Sequence, residues 1–260
     1  MTLDFIPAPL LAVLAAACFG AAIVVSKPAL NEIPPLAGTL VSIPTTTFFL
    51  WLLSPFLLDL DNFQVSAVAV FVAVGIFFPA LVSFLNFEAN KRMGPTISST
   101  LSSTAPIFAV LGALIFLHER LTLYQALALA VIVAGVMLLS MGGKDRRRHW
   151  PLWALLFPIG AAFFRGLAQA GIRYGLLIWQ NIFAALLIGY TMSSLALLAA
   201  NATTGTVERR MYRRGIVVRF WCVGGLNGAG MLFSYVALRN GQVTQIAPIL
   251  ASFPLFTFFL

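Results

Sequence analysis

Charge is what this sequence has least of. Only 9% of its 260 residues are Asp, Glu, Lys or Arg, against about 25% in a soluble globular domain. So few charges cannot clothe a water-exposed surface, which excludes a soluble fold and leaves lipid as the medium around most of the chain. Metal and thiol chemistry are equally thin, with 2 His and 2 Cys. Cys18 and Cys222 lie inside apolar runs, with neither zinc spacing nor a CxxC pair, and read as small hydrophobes. The start, MTLDFIPAPLL, lacks a basic segment, so nothing marks a cleaved signal peptide. No cofactor is implied. The net charge of +8 suits nucleic acid in principle, but the cations fall in short gaps between apolar runs. There they orient a membrane protein, and no nucleic-acid partner is expected.

Apolar runs fill the rest. Reading between charges gives nine stretches of membrane-crossing length, at roughly 8–28, 36–58, 65–88, 95–117, 122–141, 151–174, 178–200, 216–238 and 243–260. In lipid the backbone must satisfy itself, which leaves helices or closed barrels. These runs are too long and too continuous for alternating strands of about 10 residues. The fold class is therefore all-α, a polytopic helical bundle in the membrane. Trp51, Trp150, Trp153 and Trp179 lie near span ends and suit aromatic belts. The gaps after spans 1, 3, 5 and 7 hold eleven Lys and Arg residues, while Arg120, Arg173 and Arg239 are the three on the other side. That bias puts the first set in the cytoplasm and the N-terminus outside.

The second half of the chain echoes the first. FGAAIVVSKPAL (19–30) aligns with RGLAQAGIRYGL (165–176) at an offset of 146, pairing Gly20 with Gly166 and Lys27 with Arg173. FEANKRMGPTISSTLSSTAPIF (87–108) aligns with YVALRNGQVTQIAPILASFPLF (235–256) at 148, pairing Lys91 with Arg239 and Pro106 with Pro254. A repeat of five spans has an odd number of crossings, so its second copy lies upside down, an architecture frequent in secondary transporters. The expected organisation is a five-helix repeat at 1–143, a basic linker at 144–150 and a second repeat at 151–260. The second repeat lacks a counterpart of span 5, which implies a tenth span cut from the end.

These features resemble the drug/metabolite transporter superfamily, in particular its ten-span EamA-type members. The residues that carry the resemblance are Phe19, Gly20, Ser26 and Lys27, the Pro34-Pro35 turn, Pro106, the HERLT turn at 118–122, Gln125 and Gly135. The resemblance implies two inverted five-helix repeats that move small metabolites, often outward, through a central cavity. It implies a multi-pass protein of the cell inner membrane whose partners are a small-molecule substrate and the lipid bilayer, as monomer or homodimer. Members commonly carry Trp where Phe19 stands and keep the N-terminus in the cytoplasm, opposite to the charge bias.

Several residues are candidates for the site. Arg165, Gln169 and Arg173 share one face of span 6 at spacing i, i+4, i+8. Arg165 lies well inside the span, where a charge costs about 2.5–3.5 kcal/mol to insert and marks a pathway or site. It reads as an anion-attracting group, or alternatively as a structural Arg bonded to backbone carbonyls. Ser99 and Ser103 lie on a stripe of span 4 and read as substrate-binding or as close-packing groups. Asn227, among four glycines of span 8, has the same two readings. Glu88 is the candidate coupling carboxylate, with an interfacial pair to Lys91 or Arg92 as its alternative. Pro106, Pro248 and Pro254 are candidate hinges in spans 4 and 9.

The function these readings support is secondary-active transport, by alternating access, of a small polar metabolite such as an amino acid or related compound, with export favoured. A membrane enzyme acting on lipid-linked substrates is the rival class. It needs clustered acids or histidines at one interface, whereas His118 and His149 lie in different linkers, and no enzyme is expected. A non-transporting sensor or assembly subunit is the third reading.

Overall fold

The structure is a computed structural model, and it describes residues 6–119, 121–142, 151–204, 207 and 213–259. The 144–150 linker, Arg120, His149 and Trp150 lie outside the described residues, as does the Gln125 side chain. The helices are α1 (Ala8–Leu30), α2 (Pro35–Leu57), α3 (Val65–Phe77), α4 (Ala80–Met93), α5 (Pro95–Ser102), α6 (Ala105–Phe116), α7 (Leu123–Gly142), α8 (Leu156–Ile178), α9 (Ile182–Thr204), α10 (Arg214–Asn240), α11 (Val243–Leu250) and α12 (Phe253–Phe259). Joined across their breaks, these make nine spans among the described residues. Seven are long and apolar enough to cross a membrane, α7 has 20 residues, and Val243–Phe259 is a shorter apolar piece. Large apolar side chains such as Trp51, Phe56, Ile115, Leu123 and Trp221 stand on the outer surface, as lipid contact requires.

Three spans are interrupted at proline. Pro79 separates α3 from α4, Pro106 opens α6 and Pro254 opens α12. Proline has no N–H for the carbonyl one turn back, so the ladder breaks there. At Pro79 the repair is visible. The freed Gly75 carbonyl accepts a 2.6 Å hydrogen bond from Ser193 on α9, whose Oγ also accepts from the Ala80 N–H at 3.2 Å. Gly94, with φ 85°, ends α4 in the left-handed region that glycine tolerates and lets the chain reverse into α5.

A shift of 148 residues carries the bounds of α1 onto those of α8, the bounds of α5 onto those of α11, and the start of α6 onto that of α12. The packing follows the same rule. α3 lies on α9 while α10 lies on α2, and α6 lies along α8 while α12 lies against α1. Asn227, at a shift of 148 from Pro79, sits in α10, which runs unbroken.

Trp179 departs from the aromatic-belt expectation. It is 3% exposed, its Nε1 donates to the Asp61 carbonyl at 3.0 Å, and Phe63 meets it edge to face. The connection between α2 and α3, which carries Asp61 and Phe63, packs over the end of α8 and helps to bury the indole. Trp51 and Trp153 are exposed, as belts require.

Candidate functional site

Arg165 is the tenth of the 23 residues of α8. Its guanidinium carbon lies over two aromatic rings, 5.4 Å from the Phe19 centroid on α1 and 5.3 Å from that of Phe253 at the start of α12. Such cation–π contacts hold the group in place at roughly 0.5–2 kcal/mol each. Among the described residues, no carboxylate and no hydrogen-bond acceptor lies within bonding distance of it. The alternative of an arginine bonded to backbone carbonyls is thus not what the structure holds. A guanidinium has five N–H donors, and contact with ring faces supplies them with no oxygen or nitrogen acceptor.

One turn further, Gln169 is 6% exposed and its Oε1 has no hydrogen-bond partner among the described residues. Both side chains line a cavity with Phe78 and Ala105 from the first half and Met231, Ser234 and Tyr235 from α10. The space open to water centres there is about 20 Å³, room for about one water. The cavity is narrow in this structure. Close by, Tyr190 on α9 is 1% exposed and its hydroxyl lacks a partner.

The cavity lies where the two halves cross. A Cβ on Gly166 meets the Ala105 carbonyl, the Ala109 nitrogen and the Phe108 Cβ, each at 2.6 Å. A Cβ on Gly20 meets the Phe253 carbonyl at 2.8 Å, the Thr257 nitrogen at 3.2 Å and the Phe256 Cβ at 2.7 Å. The second set of partners is the first shifted by 148. Each glycine lets its helix touch the broken span of the other half.

Two cations close helix ends in matching fashion. Lys27 Nζ donates to the carbonyls of Asn90 at 2.8 Å and Lys91 at 3.4 Å. Arg173 donates to those of Leu238 at 2.8 Å and Arg239 at 2.6 Å. Cations at a helix C-terminus satisfy orphan carbonyls and favour the dipole. Beside Arg173, the Glu119 carboxylate accepts from the N–H groups of Val243 and Thr244, at 3.3 and 3.2 Å. A first-half side chain therefore caps the first turn of second-half α11.

Of the residues singled out in the sequence, the structure brings Arg165 and Gln169 together on the cavity wall. Arg173 lies on the same helix but serves the α10 terminus. Ser99 and Ser103 are buried and donate to their own helix, at the Thr96 and Thr100 carbonyls; neither lines this cavity. Asn227 is half-buried and also lies off it. Glu88 bonds Arg92 at 2.8 Å, four residues on, in an arrangement that matches the pairing alternative. Pro106 and Pro254 open the second halves of broken spans, while Pro248 is buried within α11. Phe19, Phe253, Ser234, Tyr235 and Glu119 were not foreseen as site residues. The repeat held a signal for Phe19, which corresponds to Arg165 at an offset of 146 and faces it across the contact between halves.

The sequence model described as the EamA-like transporter family matches residues 6–141. No curated protein matches the chain. Among solved structures 22 chains match. One, titled "Crystal structure of protein", aligns at a TM-score of 0.74 and 15% identity, over 97% of this chain and 86% of that one. At that identity the likeness is one of fold.

Proposed function

The chain belongs to the EamA-like transporter family within the drug/metabolite transporter superfamily, and from that footing we propose that it is a secondary-active transporter of a small polar metabolite. It is a multi-pass membrane protein, and the inner membrane is the proposed location. The observation that carries the reading is Arg165, a guanidinium with no acceptor among the described residues, facing a narrow cavity between two sets of helices. An intramembrane cation is retained where it meets a substrate or ion pathway.

The mechanism is alternating access. The two halves, 1–143 and 151–260, act as inverted units that rock about the central cavity. The Gly20 and Gly166 crossings are the contacts about which they move. The breaks at Pro79, Pro106 and Pro254 supply bending points near the site, and Pro248 adds one within α11. The cavity opens to one face and then the other. Export is the proposed direction.

Flux through the purified full-length protein in sealed proteoliposomes tests the proposal. Saturable movement of one class of metabolite is the expected result. Absence of flux across a broad panel, from protein whose melting shows it to be folded, contradicts it.

A further inference from the structure

Resting on the transporter reading above, we infer that the Arg165 site selects a solute with net negative charge: an organic monocarboxylate with an apolar body, in preference to a zwitterionic amino acid. The inference comes from what the cavity wall holds. It carries one guanidinium and, among the described residues, no carboxylate. Glu88 and Glu119 are engaged elsewhere, Glu88 with Arg92 and Glu119 with the first turn of α11. An α-ammonium group entering beside the carboxylate therefore lacks a counter-ion and lies near the Arg165 cation in a site of low polarisability, where like charges repel strongly.

The guanidinium is prepared for a planar anion. Its central carbon lies over the Phe19 and Phe253 rings, and its N–H donors meet no acceptor among the described residues, which leaves them available for the paired hydrogen bonds that a carboxylate accepts. Around it the wall is apolar, with Phe78, Ile172, Met231 and Leu250, which suits a hydrocarbon body. The unpartnered Gln169 Oε1 and the Ser234 hydroxyl provide one further polar contact for an uncharged hydroxyl or amide-type donor.

Three probes with one branched hydrocarbon body separate the charge classes. They are 4-methylpentanoate, leucine and 3-methylbutylamine, with charges of −1, 0 and +1. Dissociation constants are measured by calorimetry on the full-length protein in lipid nanodiscs. The anion is expected to bind at least tenfold more tightly than leucine, with the amine weaker than both. Arg165→Gln is expected to erase that advantage, and Arg165→Lys to keep part of it. Equal or tighter binding of leucine, no binding by any of the three, or an unchanged anion affinity in folded Arg165→Gln overturns the inference. If that variant fails to fold, the wild-type ranking alone decides.

A parallel flux measurement keeps the two readings apart. Leucine flux without anion flux sinks the charge inference and leaves the transporter reading intact. Ranked anion binding without flux of any solute does the opposite.

Discussion

Lys27 and Arg173 stand 146 residues apart and do the same work. Lys27 holds the carbonyls of residues 90 and 91, and Arg173 those of 238 and 239, the same pair shifted by 148. Each draws the end of the first span of its half onto the end of the third. Lys27→Met and Arg173→Met each leave helix-end carbonyls without their charged donor, which costs roughly 1.5–3 kcal/mol. A lowered denaturation midpoint for each variant in the same detergent is the expected outcome. A midpoint shift in one and none in the other breaks the equivalence.

Gly20 and Gly166 give a second matched pair. An added methyl at either meets backbone atoms within 2.8 Å, and backbone cannot turn aside as a side-chain tip can. Gly20→Ala and Gly166→Ala are expected to destabilise by about 1–3 kcal/mol each through overpacking. Gly135, where a Cβ meets nothing within 4 Å, is the control, and Gly135→Ala is expected to be neutral or slightly stabilising in its helix. Thermal unfolding of the three variants side by side checks this.

Ser193 bridges the break at Pro79 through both of its hydrogen bonds. Ser193→Ala strands a carbonyl and an N–H inside the bundle, at a cost of roughly 1–3 kcal/mol per group. Ser193→Thr retains the hydroxyl and is expected to lie nearer to wild type. Faster amide hydrogen exchange over 75–80 in the Ala variant is the local signature to measure.

Much of this architecture was legible in the sequence because lipid imposes it. The apolar runs set the spans, and the repeat offsets alone pair Lys27 with Arg173 and Gly20 with Gly166. Arg165 stood out because a charge deep in a span is costly. What hydropathy does not encode is helix rotation, since a helix surrounded by lipid and protein is apolar on every side. Ser99 and Ser103 therefore looked as eligible for the cavity as Gln169, although they turn to their own backbone. Trp179 looked like a belt residue because it ends a span, yet Asp61 and Phe63 of the distant α2–α3 connection cover it. Glu119 was visible only as part of a turn motif. Its partners lie 124 and 125 residues away, a distance that local spacing does not bridge.

Arg165 and Glu88 are expected to separate in flux assays. Arg165→Gln removes the donor set at the cavity and is expected to lower flux by about 10- to 100-fold, which corresponds to a charged hydrogen bond of roughly 1.5–3 kcal/mol. Glu88→Gln touches a partly exposed i,i+4 pair with Arg92, worth about 0.5 kcal/mol, and is expected to leave flux and its pH profile unchanged. A flattened pH profile in Glu88→Gln would instead make Glu88 the coupling group.

Access to the cavity from both faces is the most direct test of transport through this site. Ser234→Cys, in a chain whose native Cys18 and Cys222 are replaced by Ala, places one thiol on the cavity wall. Membrane-impermeant reagents are applied to sealed vesicles from either face. The expected result is labelling from both faces, slowed on both by a solute that binds at Arg165. Labelling from one face alone, or none from either in folded protein, contradicts alternating access around Arg165.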